Sequence, residues 1–379
     1  MHELDDYTLL QRTGVLWFGD STITTSEGNI LAAKKNLERL KQPFQEVRGK
    51  EQISRKFPFI AGAVSDVKDP IALFLHDGGT INVPALVDSF VKALRSCPNC
   101  NLLEEARVTS IDYSDSEVQV YTDKGQKYRG KKVVLTPGTY VNQVLTTLKP
   151  AFQHTINYII YLWSSTYFKV KEPLEARSDL WPIWYFFGQP NQPSTSDDEP
   201  CDSNSYYGFP TDSRDQPGYA RVAPAFTSQA TFDYTFCPPS IDARPVDHSA
   251  LQFTSNFVQK SMPSLEYTLK PEEESTCIAG FAELIDEKDD PGAGFVVDFV
   301  PNTKNRIVLA TGGWCMKFIP MMGVILADLA IDGKTSYSQE IKPMNIMRGI
   351  LTPKEHPPTK KQRHLVASSR AAKFNKIWS

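Results

Sequence analysis

The chain has 379 residues, 41% of them hydrophobic and 22% charged, a globular composition that excludes a fibrous or disordered protein. At roughly 150 residues per domain, two or three domains are expected, with a core large enough to stand without disulfides or metals. The net charge of −3 hides an asymmetry, because positions 353–379 carry seven Lys or Arg against one Glu and leave the rest at −9. A nucleic-acid-binding body is basic over a whole face, so no nucleic-acid partner is expected.

The opening MHELDDY places acids where a signal peptide has basic residues and then an apolar stretch. The longest apolar runs, such as 158–163, fall far short of the ~20 residues of a bilayer span. Both features predict a soluble, cytoplasmic protein with no membrane partner, a peroxisomal location being left open. The basic stretch 346–379 reads as a disordered, solvated tail, with a localisation or docking element as its other reading. Six cysteines in this length do not form a disulfide framework. Cys97-Pro-Asn-Cys100 is a CxxC, but no second CxxC or His pair follows at zinc spacing. It also lies after a helical segment rather than at a strand-to-helix turn. It reads as a loop, with a redox or metal role as the alternative, and no metal site is expected.

In chain order, Gly14-Val-Leu-Trp-Phe-Gly19 is a short apolar strand bounded by glycines. Asn82-Val-Pro84 opens a helix, since a proline near the first helical position loses no hydrogen bond. Val87, Phe90, Val91 and Leu94 follow at helical spacing and predict one buried face. Residues 107–113, 117–122 and 126–130 are three short strands joined by turns at Ser114-Asp-Ser116 and Asp123-Lys-Gly125. In the second, Val118, Val120 and Thr122 alternate with Gln119 and Tyr121, as in a half-buried strand. This meander feeds a buried strand at 133–135, which ends in Pro137-Gly138.

Residues 151–275 are crowded with large aromatics, Trp163, Trp181, Trp184, Tyr206 and Tyr207 among them, and broken by loops at 189–202 and 238–247. Such rings are more often core than ligand site, yet their density predicts an antiparallel sheet with an apolar cavity. The last ordered part is the most diagnostic. A short strand at 295–298 precedes a buried strand at 306–310, the tight turn Thr311-Gly-Gly313, and a helix at 320–333 with Pro first and Gly last. A strand, a glycine turn and a helix N-terminus in that order form a cradle for an anion or cofactor. An ordinary strand–helix unit is the other reading.

Over roughly residues 5–345 these segments resemble the flavin-dependent amine oxidases of the monomeric sarcosine oxidase type. That group includes the fungal fructosyl-amino-acid and saccharopine or pipecolate oxidases. The matching features, in family order, are Thr13-Gly-Val-Leu, the meander with Arg107-Val108, Val134-Leu-Thr-Pro-Gly-Thr-Tyr140 and Tyr206-Tyr-Gly-Phe-Pro210. Cys277, Phe295-Val-Val-Asp298 and Met316-Lys317-Phe318 before Pro320 complete them. The resemblance implies an α/β (α+β) fold, in which an FAD-binding, glutathione-reductase-like domain (1–13, 73–150 and 276–345) lacks its opening unit. It interleaves with an antiparallel-sheet substrate domain (14–72 and 151–275). The strand 306–310 should then lie beside 133–135 in one sheet.

For activity, the resemblance implies oxidation of the C–N bond of a secondary amine or amino-acid-like substrate with O2 as acceptor, in a specialised biosynthetic pathway. It implies FAD, attached through Cys277, with Lys317 at the flavin ring promoting reaction with oxygen and Tyr206 over the substrate pocket. Val108, Gly138, Gly312, Gly313, Met316 and Phe318 are the other cofactor-binding matches. The sequence also departs from the pattern. It has no G-x-G-x-x-G, the fingerprint that lets a pyrophosphate approach a helix N-terminus. The glycine loop before Lys317 is shortened and bulkier, the segment after Cys277 differs, and no histidine stands near Pro224. These departures keep open an alternative: a flavin-free derivative of the fold, acting as a binding or scaffold protein or a cofactor-independent catalyst.

Overall fold

In the computed structural model the described residues are 9–23, 29–171, 181–188, 205–211, 216–225, 230–231, 248–268, 273–282, 294–313 and 315–354. They form a mixed α/β architecture around a nine-stranded sheet and a separate three-stranded one. The long strand Tyr158–Lys169 organises the large sheet. It runs antiparallel to Glu273–Ala282, from Tyr158↔Ala282 to Tyr167↔Glu273. On its other side, at the end nearer Lys169, it pairs with Tyr219–Pro224. Tyr206–Phe209, Ile183–Phe187, Val15–Asp20, Pro70–Leu75 and Gln45–Arg48 follow in that order.

Strand alternation sorts the aromatics of this sheet onto two faces. One face turns Leu16, Phe18, Phe168, Trp184, Phe186 and Val222 into the main core. The helix His248–Ser261 covers them with Phe257 and Val258. Rings meet there at stacking distance, Phe18 on Phe186 at 5.0 Å and Tyr206 on Phe257 at 4.0 Å.

The small sheet contains Val296–Phe299, Ile307–Thr311 and Val133–Leu135. The last two are parallel, with Ile307↔Val133 and Leu309↔Leu135 in register. The strand expected beside 133–135 is therefore there, and Gly312 and Gly313 extend from its carboxyl end. Both faces of the central strand Ile307–Thr311 are covered, as a strand in a parallel pair requires. Ile307, Leu309 and Leu135 join Ile111 and Val118 of the meander. Val308 and Val297 pack on Met322, Ile325 and Leu329 of the helix Ile319–Ile331. The meander strands are Val108–Tyr113, Val118–Thr122 and Lys127–Gly130, each within a residue or so of the expected bounds. No helix among the described residues is long and apolar enough to cross a membrane.

The helix Val83–Ser96 begins as expected, with Asn82 accepting the Ala85 N–H at 3.2 Å and Pro84 in the first turn. Its expected apolar face is only partly buried: Phe90 and Val91 are half-buried, Val87 and Leu94 are exposed, and Leu86 is the buried residue. A second apolar surface lies beside the small sheet. Val133–Leu135 ends its sheet, Val134 is 38% exposed, and Val324 and Ile331 on the neighbouring helix are 50% and 79% exposed.

Contiguous apolar surface of this kind promotes association. The double substitution Val324→Lys, Ile331→Lys should lower self-association measured by sedimentation. It should change the unfolding free energy by no more than about 0.5 kcal/mol, the usual range for exposed positions. A clearly larger loss of stability would show that this helix face is covered in solution.

Candidate functional site

The site is built where the buried strand of the small sheet runs into the large sheet. Thr311 ends that strand, and its Oγ1 donates to the Gly138 carbonyl at 2.8 Å. A threonine hydroxyl has one proton to give, so the Tyr158 hydroxyl, 3.1 Å from Thr311 Oγ1, is the donor in that contact. The Gly312 N–H also bonds the tyrosine oxygen. One residue further, the Gly313 N–H donates to the Gly280 carbonyl at 2.7 Å. These bonds tie the glycine turn to the strand Glu273–Ala282.

Glycine is required at three of these positions. Gly312 has φ +104, and a Cβ there would lie 1.8 Å from the Gly294 carbonyl oxygen. A Cβ on Gly313, at φ +58, would lie 2.7 Å from the Phe295 ring, and one on Gly280 2.1 Å from the Tyr158 ring. Gly138 is different: it has φ +56, and a Cβ there would meet nothing within 4 Å. The backbone at the end of Val133–Leu135 thus faces open space, at the end of the sheet where ligands of open α/β folds gather.

The turn Cys315–Phe318 leads from the glycines into the helix. Lys317 is exposed in it, with its ammonium 5.7 Å from the Phe318 ring. Phe318 meets Phe295 edge-on at 6.0 Å, and Met316 is half-buried. Cys315 donates to the Gly312 carbonyl at 2.6 Å, and burial pushes its thiol pKa up. Trp314 lies outside the described residues.

Cys277 is exposed and stands opposite Trp163. It shares a sheet face with Tyr161, Trp163 and Phe281, whose ring centroids are 5.2–6.1 Å apart. Register carries this face across the sheet. Tyr167 is opposite Arg221, Arg221 is opposite Phe209, and Tyr207 is two residues before Phe209. Tyr206 pairs with Pro224 and Phe186 and lies on the opposite face, buried against Phe257.

The glycine turn Gly312–Gly313, which leads into Met316, Lys317 and Phe318, is bonded to Gly138 through Thr311 and to Gly280, which is three residues along the strand from Cys277. The structure places Tyr206 in the core. Val108, paired with Thr122, lies at the exposed start of the meander. Tyr207, Phe209 and Arg221 share the Cys277 face, and sequence reasoning did not select them. Adjacent tyrosines at 206 and 207 must point to opposite faces, but with aromatics at both positions nothing in the pattern says which face is core. The Arg221 guanidinium is 5.9 Å from the Tyr167 ring and 5.5 Å from the Phe209 ring. Its Nε donates to Ser165 Oγ at 3.0 Å. Among the described residues no cluster of His, Cys, Asp or Glu could hold a metal ion.

A buried strand running through a glycine turn into a helix N-terminus is the arrangement that cradles the anionic part of a nucleotide cofactor. The chain belongs to the FAD dependent oxidoreductase family, whose sequence profile matches residues 2–329. It is 28% identical over 359 residues to the "Putative bifunctional amine oxidase" of Dictyostelium discoideum, covering 92% of this chain and 30% of that protein. It is 24% identical to monomeric sarcosine oxidase of Streptomyces avermitilis, over 77% of this chain and 66% of the relative. The chain therefore spans less than two thirds of these relatives' lengths. Its fold matches NikD, an amino acid oxidase essential for nikkomycin biosynthesis, with TM-score 0.71 at 24% identity, over 92% of this chain and 79% of NikD. A fructosyl peptide oxidase matches with TM-score 0.60 at 14% identity, over 91% of this chain and 77% of that one.

Family membership implies FAD, and the residues meet its two ends unequally. Gly138, with open space beside its Cα, and the exposed Cys277 and Lys317 are the candidates for the ring end. For the pyrophosphate end, the sequence has no G-x-G-x-x-G.

The seam itself is testable through Tyr158. Burial pushes its phenol pKa up to about 12, whereas an unfolded tyrosine ionises near 10. The native state therefore favours the neutral phenol. That stabilisation is complete below about pH 10 and is lost as pH rises from about 10 to about 12, on the order of 2–3 kcal/mol. Tyr158→Phe should cost about 1 kcal/mol at neutral pH through the lost hydrogen bond. In urea unfolding across pH 10–12 the variant should lose less stability than the parent chain. Parallel pH profiles would show that Tyr158 is not the group responsible.

Proposed function

We propose that this chain is an amine or amino-acid oxidase that binds its flavin at the seam between the two sheets. The observation that carries the reading is the Gly313–Gly280 backbone bond, which ties the turn bearing Lys317 to the strand bearing Cys277. When bound there, the flavin would accept the hydride equivalent from the C–H beside the amine nitrogen, and O2 would take the electrons onward.

The chain's own residues hold and orient. Cys277 is the attachment point, because its side chain is accessible on the aromatic face. Lys317 supplies an exposed cation beside the ring, where positive charge stabilises the anionic character that develops as oxygen is reduced. The helix Ile319–Ile331 presents its N-terminal amides next to that turn, which favours negative charge there. Tyr207 and Phe209 line the substrate side in place of Tyr206. Arg221, oriented by Ser165 and flanked by two rings, is a counter-ion for a substrate carboxylate, since guanidinium–carboxylate pairs are strong and directional. Arg221→Met should raise KM for carboxylate-bearing amines at least tenfold, the loss of about 1.4 kcal/mol, and leave uncharged amines little affected. Equal losses for both classes would remove Arg221 from substrate recognition.

The visible spectrum of the purified full chain, before and after acid precipitation, tests the main reading. Flavin absorbance that stays with the precipitate is expected, and Cys277→Ser should release it to the supernatant. Lys317→Met should slow reoxidation by O2 at least tenfold more than anaerobic reduction by substrate. A colourless protein that takes up no added FAD would favour the second reading, a flavin-free derivative of the fold. The missing G-x-G-x-x-G is the observation that supports that second reading.

A further inference from the structure

The CxxC at residues 97–100 lies apart from this seam in the chain, and its geometry differs from an ordinary loop. The helix Val83–Ser96 ends with the Cys97 N–H on the Leu94 carbonyl at 3.2 Å. The Cys100 N–H then donates to the Cys97 carbonyl at 3.1 Å. That bond closes a β-turn with Pro98 and Asn99 at its two central positions, where both residues are favoured. A β-turn holds its first and last Cα atoms within ~7 Å, which overlaps the ~4.4–6.8 Å that a disulfide spans.

The side chains use this proximity. The Cys100 thiol points at Cys97 Sγ, 2.9 Å away. Cys100 is exposed and Cys97 half-exposed, so a soluble oxidant can reach them. Arg95 and Glu104 pair at 2.7 Å across the loop and hold its two arms together. The Cys100 hydrogen bond, helped by the Asn99 N–H, holds the Cys97 thiol pKa below its ordinary value, and the same bond raises that of Cys100. These local donors act against the negative end of the helix dipole, which disfavours a thiolate at this position.

We propose that Cys97 and Cys100 are a reversible dithiol–disulfide site, oxidised by low-molecular-weight disulfides of the glutathione type. The Cys97 thiolate attacks one sulfur of the oxidant, forms a mixed disulfide and expels one thiolate. The Cys100 thiolate then attacks Cys97 Sγ, forms the Cys97–Cys100 bond and expels the second. The protein loses two electrons and two protons, and the oxidant leaves as two thiols. The product fastens the carboxyl end of the helix to the segment that leads into the meander. This site is independent of whether the chain binds flavin.

Trypsin isolates the site, because cleavage after Arg95 and Arg107 releases residues 96–107, which contain these two cysteines and no others. The reduced full-length protein is treated with oxidised glutathione, free thiols are trapped with N-ethylmaleimide, and the peptide is weighed. The expected peptide carries no label and is lighter by two hydrogens than the dithiol form. Reduction before trapping restores two labels. Cys100→Ser should stop at a glutathione adduct on Cys97. The native chain should also oxidise at least several-fold faster than a synthetic peptide of residues 96–107, in which no helix or ion pair orients the turn. A native peptide that keeps both labels, retains glutathione, or oxidises no faster than the synthetic one would overturn the proposal.

Discussion

The join between the two sheets depends on a few hydrogen bonds, the one at Tyr158 buried. Tyr158 donates to Thr311, Thr311 donates to Gly138, and the Gly313 N–H donates to Gly280. Tyr158 opens the long strand of the large sheet, Thr311 closes the central strand of the small one, and Gly138 follows the adjacent strand. The bonds therefore tie the long strand of the large sheet to two strands of the small sheet that already pair with each other along their backbones. Buried bonds of this kind are costly to break singly, because each lost partner leaves a polar group with no water to replace it. The glycines follow from this geometry. A side chain at 280 would displace Tyr158, and one at 312 would collide with the backbone at Gly294.

The elements legible in the sequence are those whose signals are local. Asn82 and Pro84 marked a helix start, alternation marked the meander, and a continuous apolar run marked the buried strand later found beside Val133–Leu135. These signals depend only on neighbouring residues. The seam was not legible, because Tyr158 lies in an apolar run and nothing nearby announces that its hydroxyl finds Thr311 more than 150 residues away. Which of Tyr206 and Tyr207 faces the core was not legible for a related reason. Alternation says that the two point apart, but assigning faces needs the register with Tyr219–Pro224, a tertiary fact. The open side of the helix Val83–Ser96 shows the reverse limit: helical spacing identifies an apolar stripe but not what covers it.

The two faces of the large sheet differ in how completely they are covered. The face bearing Tyr206, Trp184 and Phe168 is sealed by Phe257 and its helix. Rings packed at 4–6 Å leave no room there for a ligand. The opposite face carries an accessible thiol, a guanidinium oriented by a serine hydroxyl, and several rings that flank rather than bury them. A charged group kept between aromatic faces retains its charge while much of its surrounding water is displaced. That is the environment in which a single ion pair discriminates between ligands. The second face also has a buried cluster, Ile159, Tyr161, Trp163 and Phe281, so substitutions there spare packing only at its exposed or half-buried positions such as Cys277 and Arg221.

This division bears on how a flavin would be retained. In related folds the pyrophosphate rests on a helix N-terminus reached through a G-x-G-x-x-G turn, which supplies several N–H donors at once. This sequence has no such run, and the glycine turn described above leads to a single helix N-terminus. A single helix N-terminus contributes at most ~2 kcal/mol to an anion, far less than the ~8 kcal/mol of micromolar affinity. A thioether to Cys277 would remove that requirement, because a covalently attached ring does not dissociate. Under the oxidase reading Cys277 would anchor the ring however the pyrophosphate is held. The oxidase and flavin-free readings therefore separate most sharply at this one residue: in the first its thiol is consumed by the cofactor, and in the second it remains free and alkylatable on an exposed strand.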